Sequence, residues 1–96
     1  MRIGSLVENT ILIDTGNDDC VNFKYNGGIF PVVGNIYTVR GFKKGIYGLG
    51  IYLEEIINPE MPMSEGRAEP SFIISFFREI QPPMEVKIDE LLTVEA

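Results

Sequence analysis

Few side chains in this 96-residue chain could do chemistry, because it contains no histidine. Nucleophilic sites built on Ser-His or Cys-His pairs, and zinc sites that use histidine, are therefore excluded. A pair of carboxylates could still act as general acid and base. The adjacent acids Glu54 and Glu55 follow a strand-like run, and a regular strand would point them to opposite faces. A pocket shared by both is not expected, and we predict that the chain is not an enzyme.

Three aspartates, Asp14, Asp18 and Asp19, lie in one stretch rich in turn-forming residues. Such a stretch could hold Ca²⁺ or Mg²⁺ as an EF-hand loop does, but that loop needs alternating Asp or Asn residues ahead of its glycine and a later glutamate. Here Gly16 comes too early and the glutamate is missing. Solvated turn residues are the favoured interpretation. No metal site is predicted.

Two other features have a structural explanation. The glycine-rich residues 45–50 (GIYGLG) do not form a Gly-x-Gly-x-x-Gly motif and do not open a helix, so they indicate a hairpin turn and no nucleotide cofactor. The single cysteine, Cys20, has no histidine partner, and its acidic neighbours disfavour the thiolate. We interpret it as a structural thiol.

The charge balance argues against a nucleic-acid partner. The net charge is −6, and the eight Lys and Arg residues are scattered, with only Lys43 and Lys44 adjacent. A nucleic-acid binder neutralises phosphates with clustered basic side chains. The acidic balance favours instead a basic or neutral partner surface.

The composition fits one globular domain, with 45% hydrophobic and 23% charged residues. Its clearest element is a β-hairpin. Residues 34–42 alternate β-forming side chains between two glycines, with Tyr37 and Val39 on one face. After a Lys43-Lys44 bend, Leu49, Ile51 and Leu53 form the apolar face of a second strand, with a bulge or strand end expected at Glu54 and Glu55.

The remaining elements are short. Leu6-Val7 and residues 11–13 predict two strand pieces, and residues 14–34 predict a long loop with at most one short strand. Residues 58–70, which hold three prolines, predict a second loop. Strand resumes over residues 72–80. In the tail, Ile88, Leu91 and Leu92 are spaced to share one face of a short docking helix.

Four pieces of the chain resemble a group of small phage- and prophage-encoded proteins with an SH3-like barrel and no assigned activity. They are GSLV at residues 4–7, GNIYTVR at 34–40, LEEIINP at 53–59 and FFREIQPP at 76–83. The resemblance implies a mostly β, five-stranded, partly open barrel over residues 1–83, followed by a tail or short helix over residues 84–96. It also implies a 3₁₀ turn at residues 75–77, before the last strand. It implies no catalytic residues. The chain departs from the group's pattern after residue 7, and the loop that follows is longer than in the group.

The favoured function is therefore a non-enzymatic protein-binding module. By resemblance it is phage-encoded, and we expect it to dock on a host or phage protein such as a bacterial defence component, with inhibition as the further expectation. The predicted contacts are two tyrosines next to glycines or on the outward face and several carboxylates: Tyr47, Tyr52, Glu54, Asp18, Asp19, Glu60, Glu65 and Glu69.

Two other classes stay open. An oligomeric accessory protein could self-associate through a sheet edge or through residues 84–96. A nucleic-acid-binding barrel is less favoured, for want of a basic stripe. No apolar run approaches the length of a membrane span and no basic-then-apolar leader is visible at the N-terminus. We expect a cytoplasmic protein, in a bacterial host cell if it is phage-encoded.

Overall fold

A computed structural model describes residues 1–46, 48–63 and 66–80 of the chain. Within them the protein is mostly β, as predicted, with one short α-helix. The elements in chain order are β1 (Leu6–Asn9), α1 (Asp18–Tyr25), β2 (Ile36–Gly45), β3 (Gly48–Leu53), β4 (Met61–Met63), β5 (Gly66–Ala68), β6 (Phe72–Ile73), a 3₁₀ helix (Ile74–Phe76) and β7 (Phe77–Ile80).

Five strands form one antiparallel sheet in the order β6-β3-β2-β1-β7, and β4 and β5 form a separate hairpin. The long strand β2 serves both halves of the sheet. Its first part pairs with β1, placing Tyr37 opposite Val7, and its second part pairs with β3, placing Phe42 opposite Ile51. A register shift between Val39 and Gly41 separates the two parts. The described sheet has β6 and β7 at its edges and is not a closed barrel.

The core lies on the face predicted by the alternation in the central hairpin. Tyr37 and Val39 of β2 and Ile51 and Leu53 of β3 are all buried, whereas Leu49 is exposed near the hairpin tip. The other buried members of this cluster are Val7, Ile56, Phe72 and Phe77. Each fully buried side chain of this kind contributes about 1.5–3 kcal/mol relative to exposure.

The end of β3 lies where the sequence predicts it, at Leu53. The two residues that follow continue the contact with β2: the Glu54 amide donates to the Thr38 carbonyl (2.9 Å), and the Glu55 carboxylate accepts from the Thr38 amide and hydroxyl (2.8 Å each). Burial raises the pKa of Glu55, but the hydrogen bonds from Thr38 outweigh it, so the net pKa is lowered. The Glu55 side chain thus takes the place of the backbone hydrogen bonds between β2 and β3 where β3 ends.

The prediction of a loop without helix over residues 14–34 is wrong. Residues Asp18–Tyr25 form α1, whose N-cap Asn17 accepts a hydrogen bond from the Cys20 amide through its side chain (2.9 Å). Asp18 and Asp19 lie in the first turn and Lys24 in the last, as the helix dipole favours. A helix of this length is marginal alone. It is stabilised here by packing of Phe23 against Phe30 and Phe72.

The second strand piece, predicted over residues 11–13, is also absent. β1 ends at Asn9, whose buried side chain donates to the Pro31 carbonyl (3.2 Å) and accepts from the Ile11 amide (3.4 Å). Because the Asn9 side chain binds the Ile11 amide, the backbone after residue 9 no longer pairs as a strand of the sheet.

The predicted loop over residues 58–70 contains the β4–β5 hairpin, so the prediction of irregular structure there is wrong for six of its residues. Pro62 is accommodated in β4, opposite Arg67, since a two-stranded hairpin has an outer side that needs no ladder donor. The Arg67 guanidinium donates to the Glu60 carbonyl (2.9 Å), which closes the base of the hairpin.

Strand resumes at Phe72, as predicted, and is interrupted by the 3₁₀ helix Ile74–Phe76, one residue earlier than the resemblance implies. The proposed tail, residues 84–96, and the domain boundary at residue 83 lie outside the described residues. The described part of the chain contains no helix that is long and apolar enough to cross a bilayer.

Candidate functional site

Two clefts lie next to α1, and residues of this helix line both. The inner cleft, about 240 Å³, lies between α1, β6 and the 3₁₀ helix, and its walls include Cys20, Phe30, Phe72 and Phe76. The outer cleft, about 460 Å³, lies between α1 and the β4–β5 hairpin. Asp19, Phe23 and Pro70 line both. We refer to the two clefts together as the α1 groove.

Phe23 divides the groove and is held by its aromatic neighbours. Its ring centroid lies 4.3 Å from that of Phe30 and 6.3 Å from that of Phe72. The backbone at Gly28 passes so close that an added Cβ atom would lie 2.5 Å from Cδ1 of Phe23. The amide of Gly28 also donates to the Phe23 carbonyl (2.9 Å). The glycine therefore sets the position of the ring, and with it the shape of the groove.

The outer cleft differs from the inner one in chemistry. Its far wall is the hairpin, with Met61, Pro62 and Met63, and its near wall carries the amide side chains of Asn22 and Asn26. Methionine side chains adapt their shape to what they contact, and amides can donate and accept hydrogen bonds. This half of the groove is suited to contact with a polypeptide.

Asp19 is the one charged side chain among the described residues that line either cleft. Two nearby cations pair with acids of the chain, Lys24 with Asp14 (2.5 Å) and Arg40 with Glu69 (2.7 Å). A third, the Lys43 ammonium, lies 3.9 Å from the sulfur of Met63 at the hairpin wall of the outer cleft. The Lys24 ammonium, by donating to Asp14, lowers the pKa of that carboxyl. The α1 wall of the groove is thus negative at Asp19, and the positive charge of Lys43 lies at the opposite, hairpin wall.

Cys20 forms part of the inner wall. It is buried, and its thiol donates to the carbonyl of Ile13 (3.4 Å). The thiol fills space between α1 and the segment before it, which agrees with the interpretation as a structural residue.

Of the predicted contact residues, Asp19 lines the groove, and Asp18 is its neighbour in the first turn of α1, which is helical and not an irregular turn. Glu54 and Glu60 are exposed at the ends of other segments, outside the residues that line the groove. Tyr47 and Glu65 lie outside the described residues. Among the described members of the predicted set, Asp19 lines the groove and Glu54 and Glu60 lie elsewhere.

Tyr52 and Glu69 meet inside the structure. The Tyr52 hydroxyl donates to the Glu69 carbonyl (3.1 Å), and the Arg40 guanidinium lies 5.1 Å above the tyrosine ring. The Glu69 carboxylate accepts from Arg40 (2.7 Å) and from the Asn58 amide (3.0 Å). Burial and the Glu69 charge raise the pKa of Tyr52 above its ordinary value. Tyr52 and Glu69 thus join β3 and β2 to the segment that precedes β6.

Sequence reasoning missed the residues that build the groove walls, notably Phe23, Pro70 and Phe76. Their separation in the sequence hides their proximity, because α1 must form and dock before the groove exists. The one local signal was the run Asn17-Asp18-Asp19, an N-cap followed by acidic first-turn residues.

The described residues contain no group of three or more His, Cys, Asp or Glu side chains placed to hold a metal ion. Comparison with protein-family models, with curated proteins and with solved structures yields no match to this chain. The function must therefore be inferred from the groove itself.

Proposed function

We propose that this chain is a non-enzymatic protein-binding module, phage-encoded, that docks on a bacterial protein such as a defence component and inhibits it in the host cytoplasm. The observation that carries the binding role is the α1 groove, an apolar surface lined by Phe23 and Pro70 beside one carboxylate, Asp19. Concave apolar surfaces with a few placed polar groups are the usual form of a binding site.

An SH3-like barrel is the fold we propose for this module. Three features support it: the strand order β6-β3-β2-β1-β7, the shared strand β2 with its register shift, and the 3₁₀ helix between the last two strands. A fold does not define a function by itself. In this fold α1 and the β4–β5 hairpin are carried by long connections, where binding surfaces commonly lie.

The phage origin and the host target rest on the resemblance of residues 34–40 and 76–83 to phage-encoded proteins. The net charge of −6 also suits a basic target surface, since complementary charge speeds association.

A tagged pull-down from bacterial lysate, with and without nuclease, tests the binding role. Two variants make it specific to the groove. Asn22→Trp places a bulky ring in the outer cleft, and Val21→Trp places the same ring at a half-exposed position outside both clefts. We expect one stoichiometric, nuclease-insensitive protein with wild type and Val21→Trp, and its loss with Asn22→Trp. Recovery of nucleic acid alone, or of nothing, contradicts the proposal.

A second candidate, an oligomeric accessory protein, is favoured by a separate observation. Five apolar side chains in the segments joined by Asn9 have at least 46% of their surface exposed: Ile11, Leu12, Val32, Val33 and Ile36. The Asn9 amide and carbonyl bond to Asn35 and Gly34, which brings these segments to one end of the sheet. Light scattering across a concentration series, with Leu12→Ser and Val32→Ser, separates this role from the first. A monomer at all concentrations excludes it.

A further inference from the structure

The two clefts of the α1 groove differ in size and lining, yet they share three residues. Asp19, Phe23 and Pro70 belong to both, so a ligand in one cleft reaches the other across the edge of Phe23. From this we infer that the groove takes one extended segment of a protein partner, with a bulky apolar side chain in the inner cleft and a Lys or Arg side chain paired with Asp19. This inference rests on the proposed function and names the partner's chemistry.

The size of the inner cleft favours a single side chain. Its volume of about 240 Å³ lies below the ~300–1,000 Å³ of typical small-molecule pockets. Most of its lining is apolar, with the aromatic rings of Phe23, Phe30, Phe72 and Phe76 and the aliphatic Ile13 and Ile73, and its polar lining residues are Asn17, Asp19 and Ser71. An aliphatic or aromatic side chain fits such a lining, whereas a nucleotide or a sugar has more polar groups than three residues can pair.

The outer cleft suits the backbone that carries this side chain. Asn22 offers its amide group along one wall, where Asn26 keeps its side-chain oxygen available while its amide nitrogen donates to the Asn22 carbonyl (2.8 Å). Met61 and Met63 offer adaptable apolar contact along the other wall. An extended segment exposes its backbone amides and carbonyls at regular intervals, as amide side chains require. A helical segment satisfies those groups internally and gains nothing from them.

The charge of the groove selects the sign of the ligand. Asp19 supplies its charge, and among the described residues no Lys or Arg lines either cleft. The nearest cation that contacts a lining residue is Lys43, at Met63 on the hairpin wall, so an anionic side chain seated beside α1 would meet the Asp19 carboxylate without a lining cation on that wall. A partly exposed ion pair contributes ~0–1 kcal/mol, so Asp19 alters affinity by up to about fivefold. Its main effect is to favour basic over acidic side chains in the ligand.

Selection from a random heptapeptide library tests the inference directly. Wild type and Asp19→Lys are panned in parallel, with Glu54→Lys as the control that makes the same charge change outside the groove. We expect wild type and Glu54→Lys to enrich peptides that hold an aromatic or large aliphatic residue near Lys or Arg. Asp19→Lys is expected to enrich Asp or Glu in place of the basic residue.

The best wild-type peptide is then measured by fluorescence anisotropy. Asp19→Asn should weaken it by about three- to fivefold, and the loss should shrink at high salt. Asn22→Trp should abolish binding and Val21→Trp should not, with circular dichroism confirming that all variants fold. No enrichment on wild type, or a consensus that Asp19→Lys leaves unchanged, overturns the inference.

These outcomes are separable from those of the lysate experiment. Peptide enrichment without a captured host protein leaves the groove chemistry intact and removes the host target. A captured partner whose binding survives both Asp19→Lys and Asn22→Trp overturns the inference and leaves protein binding by another surface.

Discussion

At the residue scale, Glu69 is the most informative of the predicted contacts because its partners lie within the chain. It is a solvent-facing candidate by sequence, yet only 18% of its side chain is exposed, and it holds the Arg40 guanidinium and the Asn58 amide together. Asn58 is itself buried and exchanges two hydrogen bonds with the backbone of Ile29. The Glu69 carboxylate thus links β2 to the segment before β4. It does so from the position directly before Pro70, which lines the α1 groove.

Removal of that carboxylate should cost stability. Glu69→Ala removes the anionic partner of the Arg40 guanidinium, which keeps the Leu53 and Ile56 carbonyls, and leaves the Asn58 backbone amide without its acceptor. We expect the free energy of unfolding to fall by about 1–2 kcal/mol. Glu60→Ala, at an exposed acid whose side chain forms no ion pair within the described residues, should change it by less than about 0.5 kcal/mol. Urea unfolding of both variants at neutral pH measures the difference. Equal losses would show that Glu69 has no special role.

Gly28 shows how a single residue sets the shape of the groove. A methyl group there would meet the Phe23 ring at less than 3.0 Å, so Gly28→Ala must displace the ring or the backbone. We expect a loss of about 1–3 kcal/mol, as overpacking typically causes. The near-ultraviolet circular dichroism of the aromatic cluster should change as well. Gly45→Ala, where the nearest atom is at an ordinary 3.5 Å, serves as the control and should leave both measurements nearly unchanged.

At the scale of elements, the pairing of β3 with β6 depends on Gly50. Its backbone lies close to Ser71, whose Cβ would be 2.8 Å from a Cβ added at residue 50. Gly50→Ala should therefore loosen β6 and destabilise the protein by about 1–3 kcal/mol. Ser71→Gly in the same chain should restore part of that loss, because it removes the clashing atoms. Additive losses in the double variant would contradict this explanation.

The elements also show which parts of the fold were predictable. The β2–β3 hairpin follows from an uninterrupted alternation around Tyr37, Val39, Ile51 and Leu53, and the structure confirms it. α1 was missed because it is short and its apolar side chains form no clear stripe, so that its stability comes from Phe23 packing on distant residues. The β4–β5 hairpin was missed because Pro62 argues against strand unless the pairing partner is known.

At the scale of the whole molecule, the order of strands depends on contacts between distant parts of the chain. β1 pairs with β7, so Leu6 lies opposite Ile80, and no local pattern in either strand specifies the other. The candidate site has the same dependence. Its acidic residue, Asp19, is among the contacts predicted from the sequence, but its walls join α1, the hairpin and β6, which only the assembled sheet brings together.

The acidic character of the whole molecule sets its response to pH. Asp14 and Glu55 have lowered pKa values in the folded protein, because Lys24 donates to the first and the Thr38 hydrogen bonds overcome the effect of burial on the second. A carboxyl whose pKa is lower when folded stabilises the protein at pH values above its unfolded pKa. That contribution is lost as the pH falls through the folded value. Protonation also relieves repulsion within a chain of net charge −6, which acts in the opposite direction.

Comparison of two double variants separates these effects, since both remove two negative charges. Asp14→Asn with Glu55→Gln removes the two stabilising carboxylates, whereas Glu54→Gln with Glu60→Gln removes two exposed ones. At pH 6 the first variant should melt below wild type. The gap should close as the pH falls from about 5 to 3, where wild type loses the same interactions. The second variant should follow wild type or lie slightly above it near neutral pH. Thermal unfolding monitored by circular dichroism at each pH measures both gaps. A gap that stays constant for the first variant would mean that protonation of Asp14 and Glu55 in wild type removes no stabilising interaction, and it would contradict the prediction.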